Sequence, residues 1–252
     1  MIDRGHRPGK LIGLSLDELR QRFEAANRVT GGPAGEIPAD LIEVIELVQA
    51  HQVDALRQML RQAIVQQGLA RFMLETAAPL NSVVGEAWMR GEIEVFEEHL
   101  YTEIMQGVLR NAIAGIPAQR RPPRILLTTL PNEQHALGLL MAEGMLAMEG
   151  ATCISLGTQT PVWDIALAAQ AQQADVVALS VSVAFPANVA TDVLADLRAK
   201  LPASAELWVG GANPGPQRRP VAGVLVLRTL DEIPGTLARW RQAHAAAAPA
   251  LR

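Results

Sequence analysis

A four-helix bundle leading into a flavodoxin-like (Rossmann-like), doubly wound five-stranded parallel sheet is the architecture this chain should build. Three features point there. From Pro38 to about Ala118 apolar residues recur at helical spacing. From Ile125 onward, short continuous apolar runs alternate with helical stretches, as in parallel strands covered on both faces. Between the two lies Ala118-Gln119-Arg120-Arg121-Pro122-Pro123-Arg124, a basic and proline-rich stretch that reads as an exposed linker and domain boundary.

Residues 1–35 form a separate leader. Ser15-Leu16-Asp17-Glu18 fits a capping box for a short helix from about Leu16 to Ala26, and Thr30-Gly31-Gly32-Pro33-Ala34-Gly35 is a flexible link. Residues 36–118 carry four candidate helices: Pro38 to Ala50, Val53 to Gln67, Leu69 to Met89 and Glu92 to Ala114. In the first, Leu41, Val44, Ile45 and Val48 form one buried stripe. Short connections imply antiparallel neighbours and hence a bundle. Pro79 falls inside the third helix and should kink or restart it.

Residues 122–247 make the sheet domain. Expected strands are Ile125 to Leu130, Ala151 to Leu156, Val176 to Val183, Glu206 to Val209 and Val224 to Leu227. The intervening helices run Ala136 to Glu149, Val162 to Gln173 and Ala187 to Leu201, and a last one runs from about Ile233 to Ala246. Trp163, Trp208 and Trp240 are expected to pack helices onto the sheet, and the tail from Ala245 to fray.

The chain has 252 residues, 49% of them hydrophobic, enough for one large domain or two modest ones. A formal net charge of −4 does not recommend it as a nucleic-acid binder on its own. The single cysteine, Cys153, excludes a disulfide framework, suits a reducing cytoplasm and falls in a strand, where a small buried hydrophobe is expected. No apolar span approaches the ~20 residues of a membrane helix, so the expectation is a cytoplasmic protein. His6, His51 and His244 have no partners at metal-like spacing.

The chemistry gathers around Pro131-Asn132-Glu133-Gln134-His135-Ala136-Leu137-Gly138, between the first strand and its helix. A histidine there is held at the carboxyl edge of the sheet, where open α/β folds bind ligands. A carboxylate two residues away can take one ring N–H and leave the other nitrogen to a metal. After 41 further residues (139–179) come Ser180-Val181-Ser182, and after another 27 (183–209) Gly210-Gly211. This arrangement closely resembles the cobalamin-binding domain family, with its D-x-H-x-x-G, S-x-L and G-G elements. The resemblance implies His135 as lower axial cobalt ligand and Glu133 as its orienter. Gly138 belongs to the motif, and Ser180, Ser182, Gly210 and Gly211 would line the pocket for the cofactor's displaced nucleotide tail. Glu133 stands for the usual aspartate and Ser182 for the usual leucine.

A second constellation lies in the bundle. Trp88 is followed after nine residues (89–97) by Glu98 and His99; Val95, Glu98, His99 and Thr102 share a face of the fourth helix. An aromatic plate, a carboxylate and an imidazole suit a flat polar ligand such as a nucleoside. W-x(9)-E-H before a cobalamin domain resembles the CarH/LitR class of light-dependent regulators of the MerR family. Ile2 to Leu19 is similar to the closing segment of their winged-helix head, and Leu156-Gly157-Thr158-Gln159-Thr160-Pro161 to their loop after the second strand.

By that resemblance the cofactor is 5′-deoxyadenosylcobalamin. Trp88 would pack on the adenosyl group, Glu98 bond its ribose, His99 support that contact and Val95 leave room beside the adenine. The implied protein is not an enzyme but a light sensor controlling repression through photolysis and a changed oligomeric state, a dimer or tetramer. It would read DNA only through a winged-helix head, which this chain is expected to lack. Met89 occupies the place of the family's light-state histidine ligand, and a thioether is a poor donor to Co(III), so a bis-histidine end state does not follow. The competing readings are a corrinoid methyl carrier of a methyltransferase system, which must leave the upper cobalt face open, and an interaction domain without a corrinoid.

Overall fold

The computed structural model describes residues 39–245. The leader features at residues 1–35 lie outside them, as does the tail beyond Ala245. The bundle begins with α1 (Ala39–Gln49), α2 (Val53–Gln67) and α3, whose parts are Leu69–Arg71, a π-helical stretch Phe72–Ala77 and Ala78–Arg90. The π stretch is how the helix admits Pro79: the Ala78 N–H bonds to the Met73 carbonyl five residues back, and helical winding resumes with proline in the first turn. Gly91, left-handed at φ 72°, ends α3.

Helix α4 (Val95–Ala114) starts three residues later than the sequence suggested, because Glu94 is its N-cap. Glu97 closes a capping box by accepting the Glu94 N–H at 2.7 Å. Leu41, Val44 and Val48 of α1 meet Leu56 and Leu60 of α2, Phe72 and Met73 of α3 and Met105 and Leu109 of α4, all buried. Each contributes about 1.5–3 kcal/mol by leaving water.

The sheet comprises β1 (Arg121–Thr129), β2 (Ala151–Gly157), β3 (Val176–Ser180), β4 (Glu206–Gly210) and β5 (Val224–Val226), all parallel in the order β2-β1-β3-β4-β5. It is wound by α5 (Leu137–Met148), α6 (Val162–Ala171), α7 (Ala187–Lys200), the short α8 (Gly215–Arg218) and α9 (Glu232–Ala245). Half of the expected linker is strand: β1 starts at Arg121 and pairs with Ala151, and an irregularity before Arg124 takes up the two prolines, which have no N–H to offer. At the other end β3 stops at Ser180, so Ser182 stands on a loop rather than in a strand.

Alternate residues of β1 serve opposite faces. Leu126 joins Ile165, Leu194 and Leu197 on one side. Ile125 and Leu127 join a cluster on the other that continues through Leu140 and Met145 of α5 into the bundle at Met73 and Leu109. The bundle therefore packs on the helix that follows the His135 loop. A Cβ on Gly144 would come 2.9 Å from the Met73 sulfur, so a larger residue there would make the end of the Met73 side chain move. Trp208 and Trp240 are buried, but Trp163 is not: it is 64% exposed, with Lys200 Nζ 5.8 Å from its ring. Cys153 is half-buried, and burial pushes its thiol up to about 12, leaving it protonated and unreactive.

Gly107 in α4 has nothing within 4 Å of where a Cβ would sit. Gly107→Ala is expected to stabilise the fold by about 0.5–1 kcal/mol, since alanine costs less backbone entropy in a helix. Urea denaturation measures this, and a lower midpoint would refute it.

Candidate functional site

The carboxyl ends of β1, β3 and β4 stand in register: Thr129 pairs with Ser180, and Ser180 with Gly210. The strand order reverses between β1 and β3, and loops leaving that point diverge to open a crevice. His135 and Ser182 come from its two sides.

Glu133, 1% exposed, ties them together. Its Oε1 accepts the His135 backbone N–H at 3.0 Å and the ring Nδ1–H at 2.6 Å. Its Oε2 accepts both the Ser182 N–H and the Ser182 hydroxyl at 2.8 Å. The Ser182 Oγ also lies 3.0 Å from His135 Nδ1. Burial alone would push the Glu133 carboxyl up, but these bonds together hold it below the usual carboxylate range. An ionised carboxylate only accepts, so the proton sits on Nδ1 and Nε2 carries a lone pair. No described residue bonds Nε2, and the His135 side chain is 60% exposed.

The hydrogen bond to Glu133 holds the His135 pKa above its ordinary value against the opposing effect of burial; the charge of Glu98 raises it further. Glu98 belongs to α4, so bundle and sheet edge face each other within electrostatic reach. Its Oε1 accepts the Thr102 hydroxyl at 2.8 Å, and its Oε2 lies 2.7 Å from His99 Nδ1. Trp88, at the end of α3, and Val95, at the start of α4, are both about half exposed. Met89, half-buried, is adjacent to Trp88.

Residues 43–112 and 123–226 each match a family model described as a B12 binding domain. The chain carries two B12-binding domains. The first coincides with the bundle and the second with the sheet; Glu133, His135 and Ser182 belong to the second, Trp88 and Glu98 to the first. Over 138 residues the chain is 35% identical to the HTH-type transcriptional repressor CarH of Myxococcus xanthus, covering 55% of this chain. It spans about half the length of that relative, 46%. The fold is also that of the monomethylamine corrinoid protein of Methanosarcina barkeri: TM-score 0.64 at 13% identity, covering 79% of this chain and 96% of that one.

The donor set suits a corrinoid. Among the described residues no three His, Cys, Asp or Glu side chains converge as a metal site. One imidazole suffices only for a metal whose other ligands arrive with it, as in a corrin ring. Within the second B12-binding domain, Gly138 keeps the wall open, since a Cβ there would come 2.7 Å from the Ser180 Oγ. Gly211, at φ 103°, is demanded by sterics: a Cβ would lie 2.3 Å from the Val181 carbonyl. Gly210 has room and offers bare backbone at the strand end. Ser182 bonds Glu133 and His135, a role beyond the wall position the motif implied.

Three residues that the motif did not mark hold the B12-binding loops in place. The Thr129 hydroxyl donates to the Glu133 carbonyl at 2.6 Å and accepts the Gln159 N–H at 2.8 Å. Thr128 Oγ1 donates to the Gly157 carbonyl at 2.9 Å. Buried Asn213 donates to the carbonyls of Ser182 and Phe185 at 2.9 and 2.7 Å. The signal was two threonines breaking an apolar run just before the motif and an asparagine just after Gly210-Gly211. No described helix is long and apolar enough to cross a membrane.

Proposed function

We propose that the chain senses 5′-deoxyadenosylcobalamin for a transcriptional regulator and reports light through a change in how its two B12-binding domains engage. The reading rests on one observation: the charge of Glu98, on the bundle, reaches His135 at the sheet edge, and Trp88, at the end of the preceding helix, leaves its ring half exposed. His135 would hold the cobalt from below, with Glu133 and Ser182 fixing the ring. Trp88 would pack against the nucleoside, Glu98 accept from its ribose, His99 and Thr102 orient that carboxylate, and Val95 leave room beside the adenine. Gly138, Ser180, Gly210 and Gly211 would line the path of the nucleotide tail.

The bound group would supply a Co–C bond that visible light breaks. Without the nucleoside, Trp88 and Glu98 would have no ligand to contact, and an arrangement of the two domains that those contacts favoured would lose its advantage. Assembly of the chain into a dimer or tetramer would change with it. The likeness to CarH, a transcriptional repressor, supports a regulatory rather than an enzymatic role. A methyl carrier has no use for a ribose acceptor over the cobalt, so Glu98 favours the sensor.

The test is an absorption spectrum and a size-exclusion trace of the adenosylcobalamin-loaded chain before and after green light. A spectral change with a shift in elution is expected; an unchanged elution volume with a changed spectrum would defeat the sensor reading. Trp88→Ala should keep binding within about tenfold, the value of one aromatic contact of roughly 1.4 kcal/mol, because His135 is untouched. It should also remove the elution difference between dark and light, which the same column measures.

A further inference from the structure

The turn between α1 and α2 reaches across the bundle to the segment joining Trp88 to Glu98. His51, left-handed at φ 54°, directs its Nε2 to Glu97 Oε1 at 3.0 Å, and its ring lies 5.3 Å from that of Phe96. Gln49 donates from Nε2 to the Glu92 carbonyl at 2.8 Å. Both gripped residues matter to the site. The Glu92 N–H bonds to the Ala87 carbonyl at 2.9 Å, next to Trp88. Glu97 is the buried capping-box carboxylate; its Oε2 takes the Glu94 N–H, leaving Oε1 for His51.

Glu98 follows directly, and its N–H makes an i→i−4 bond at the helix start, to the Glu94 carbonyl at 3.1 Å. The N–H groups that precede it in the first turn have no i→i−4 acceptor, so the turn depends on its cap and frays when the cap loosens. Loss of the grip on Glu97 would carry Glu98 into that fraying turn; loss of the grip on Glu92 would free the loop from α3.

We infer that Gln49 and His51 are positioning residues that hold Trp88 and Glu98 at the separation a nucleoside requires, and so set which upper-face group the site accepts. The inference rests on the nucleoside reading above. Neither side chain belongs to the constellation at the cobalt face; they act through Glu92 and Glu97.

The experiment measures dissociation constants for adenosylcobalamin and methylcobalamin by absorbance in dim red light. The proteins are the unaltered chain, Gln49→Ala, His51→Ala, the double variant, His51→Gln and Glu98→Gln. The double variant is expected to lose about tenfold in preference for the adenosyl form, the worth of a charge-assisted bond, with methylcobalamin affinity held within about twofold. His51→Gln, which keeps a donor for Glu97, should restore the preference. Gln49→Ala removes one exposed hydrogen bond and provides a folded variant in any case; it should show a smaller loss of the same kind.

Equal weakening of both ligands would mean a purely structural role and overturn the inference. So would an unchanged preference in the double variant while Glu98→Gln lowers it. An unchanged preference in Glu98→Gln itself would overturn the nucleoside reading, and the positioning role with it.

Discussion

Replacing His135 by alanine is expected to weaken adenosylcobalamin binding by more than about a hundredfold and to abolish the absorption spectrum of an imidazole-bound corrinoid. The figure exceeds the roughly 10–100-fold that loss of a supporting hydrogen-bond partner costs at metal sites, because here the donor itself is removed. Its Nε2 is the lone pair that the Glu133 contact leaves available. Stability should change little, since the side chain is 60% exposed. Equilibrium titration with a spectrum of the complex provides the measurement, and an affinity within about threefold of the unaltered chain would exclude the assignment.

The same nitrogen sets the direction of the pH dependence. The His135 pKa is raised in the folded protein, first by its hydrogen bond to Glu133. Below that pKa a proton occupies Nε2 and competes with the metal, so affinity should fall about tenfold per pH unit as the solution is acidified. Above it the affinity should level off. His135→Ala should flatten the profile.

Glu133→Gln is expected to combine two losses. The carboxylate serves four donors, two on each oxygen. An amide has one oxygen, so its NH2 must face either the His135 pair or the Ser182 pair. Facing Ser182, the NH2 can donate to the hydroxyl but leaves the Ser182 N–H without an acceptor; facing His135 it opposes two N–H donors, so one or two donors go unsatisfied in a site only 1% exposed, at about 1–3 kcal/mol each. A total near 3 kcal/mol lowers the melting temperature by roughly 6–12 °C for a chain of this size. Cobalamin affinity should fall about 10–100-fold, since the ring loses its fixed tautomer. Glu133→Asp keeps the charge but cannot span the same four donors, and should lie between. Calorimetry without ligand and a titration separate the effects, and an unaltered melting temperature for Glu133→Gln would contradict this account of the site.

Sequence patterns located the helices, the strand order class and the His135 loop, because each of these depends on neighbours within a few residues. The stripe Leu41, Val44, Val48 needed nothing beyond its own spacing, and neither did the alternation of strand and helix after residue 121. Element ends were harder to read. Val181 to Val183 continue the apolar run of β3, yet β3 ends at Ser180; the Val181 N–H bonds to the Gly210 carbonyl, while its own carbonyl takes the Asn213 N–H and not a strand partner. Trp163 failed as a core residue for a related reason. Helix α6 is apolar nearly all round, VWDIALAAQA, so periodicity names no buried face, and packing selected Ile165, Ala166 and Ala169 instead.

The amino-acid sequence by itself determined that this chain has a helical bundle, a doubly wound parallel sheet and a lone imidazole at its carboxyl edge. Those follow from local periodicity and from residue types at fixed loop positions. Only the tertiary structure decided that Ser182 clasps Glu133 from 49 residues away, that Glu98 acts on His135 across the interface, and that Gln49 and His51 grip the loop between Trp88 and Glu98. Such contacts depend on how α4 lies against α5 and how α1 turns into α2. Packing of side chains distant in sequence sets those angles, and no spacing along the chain encodes them.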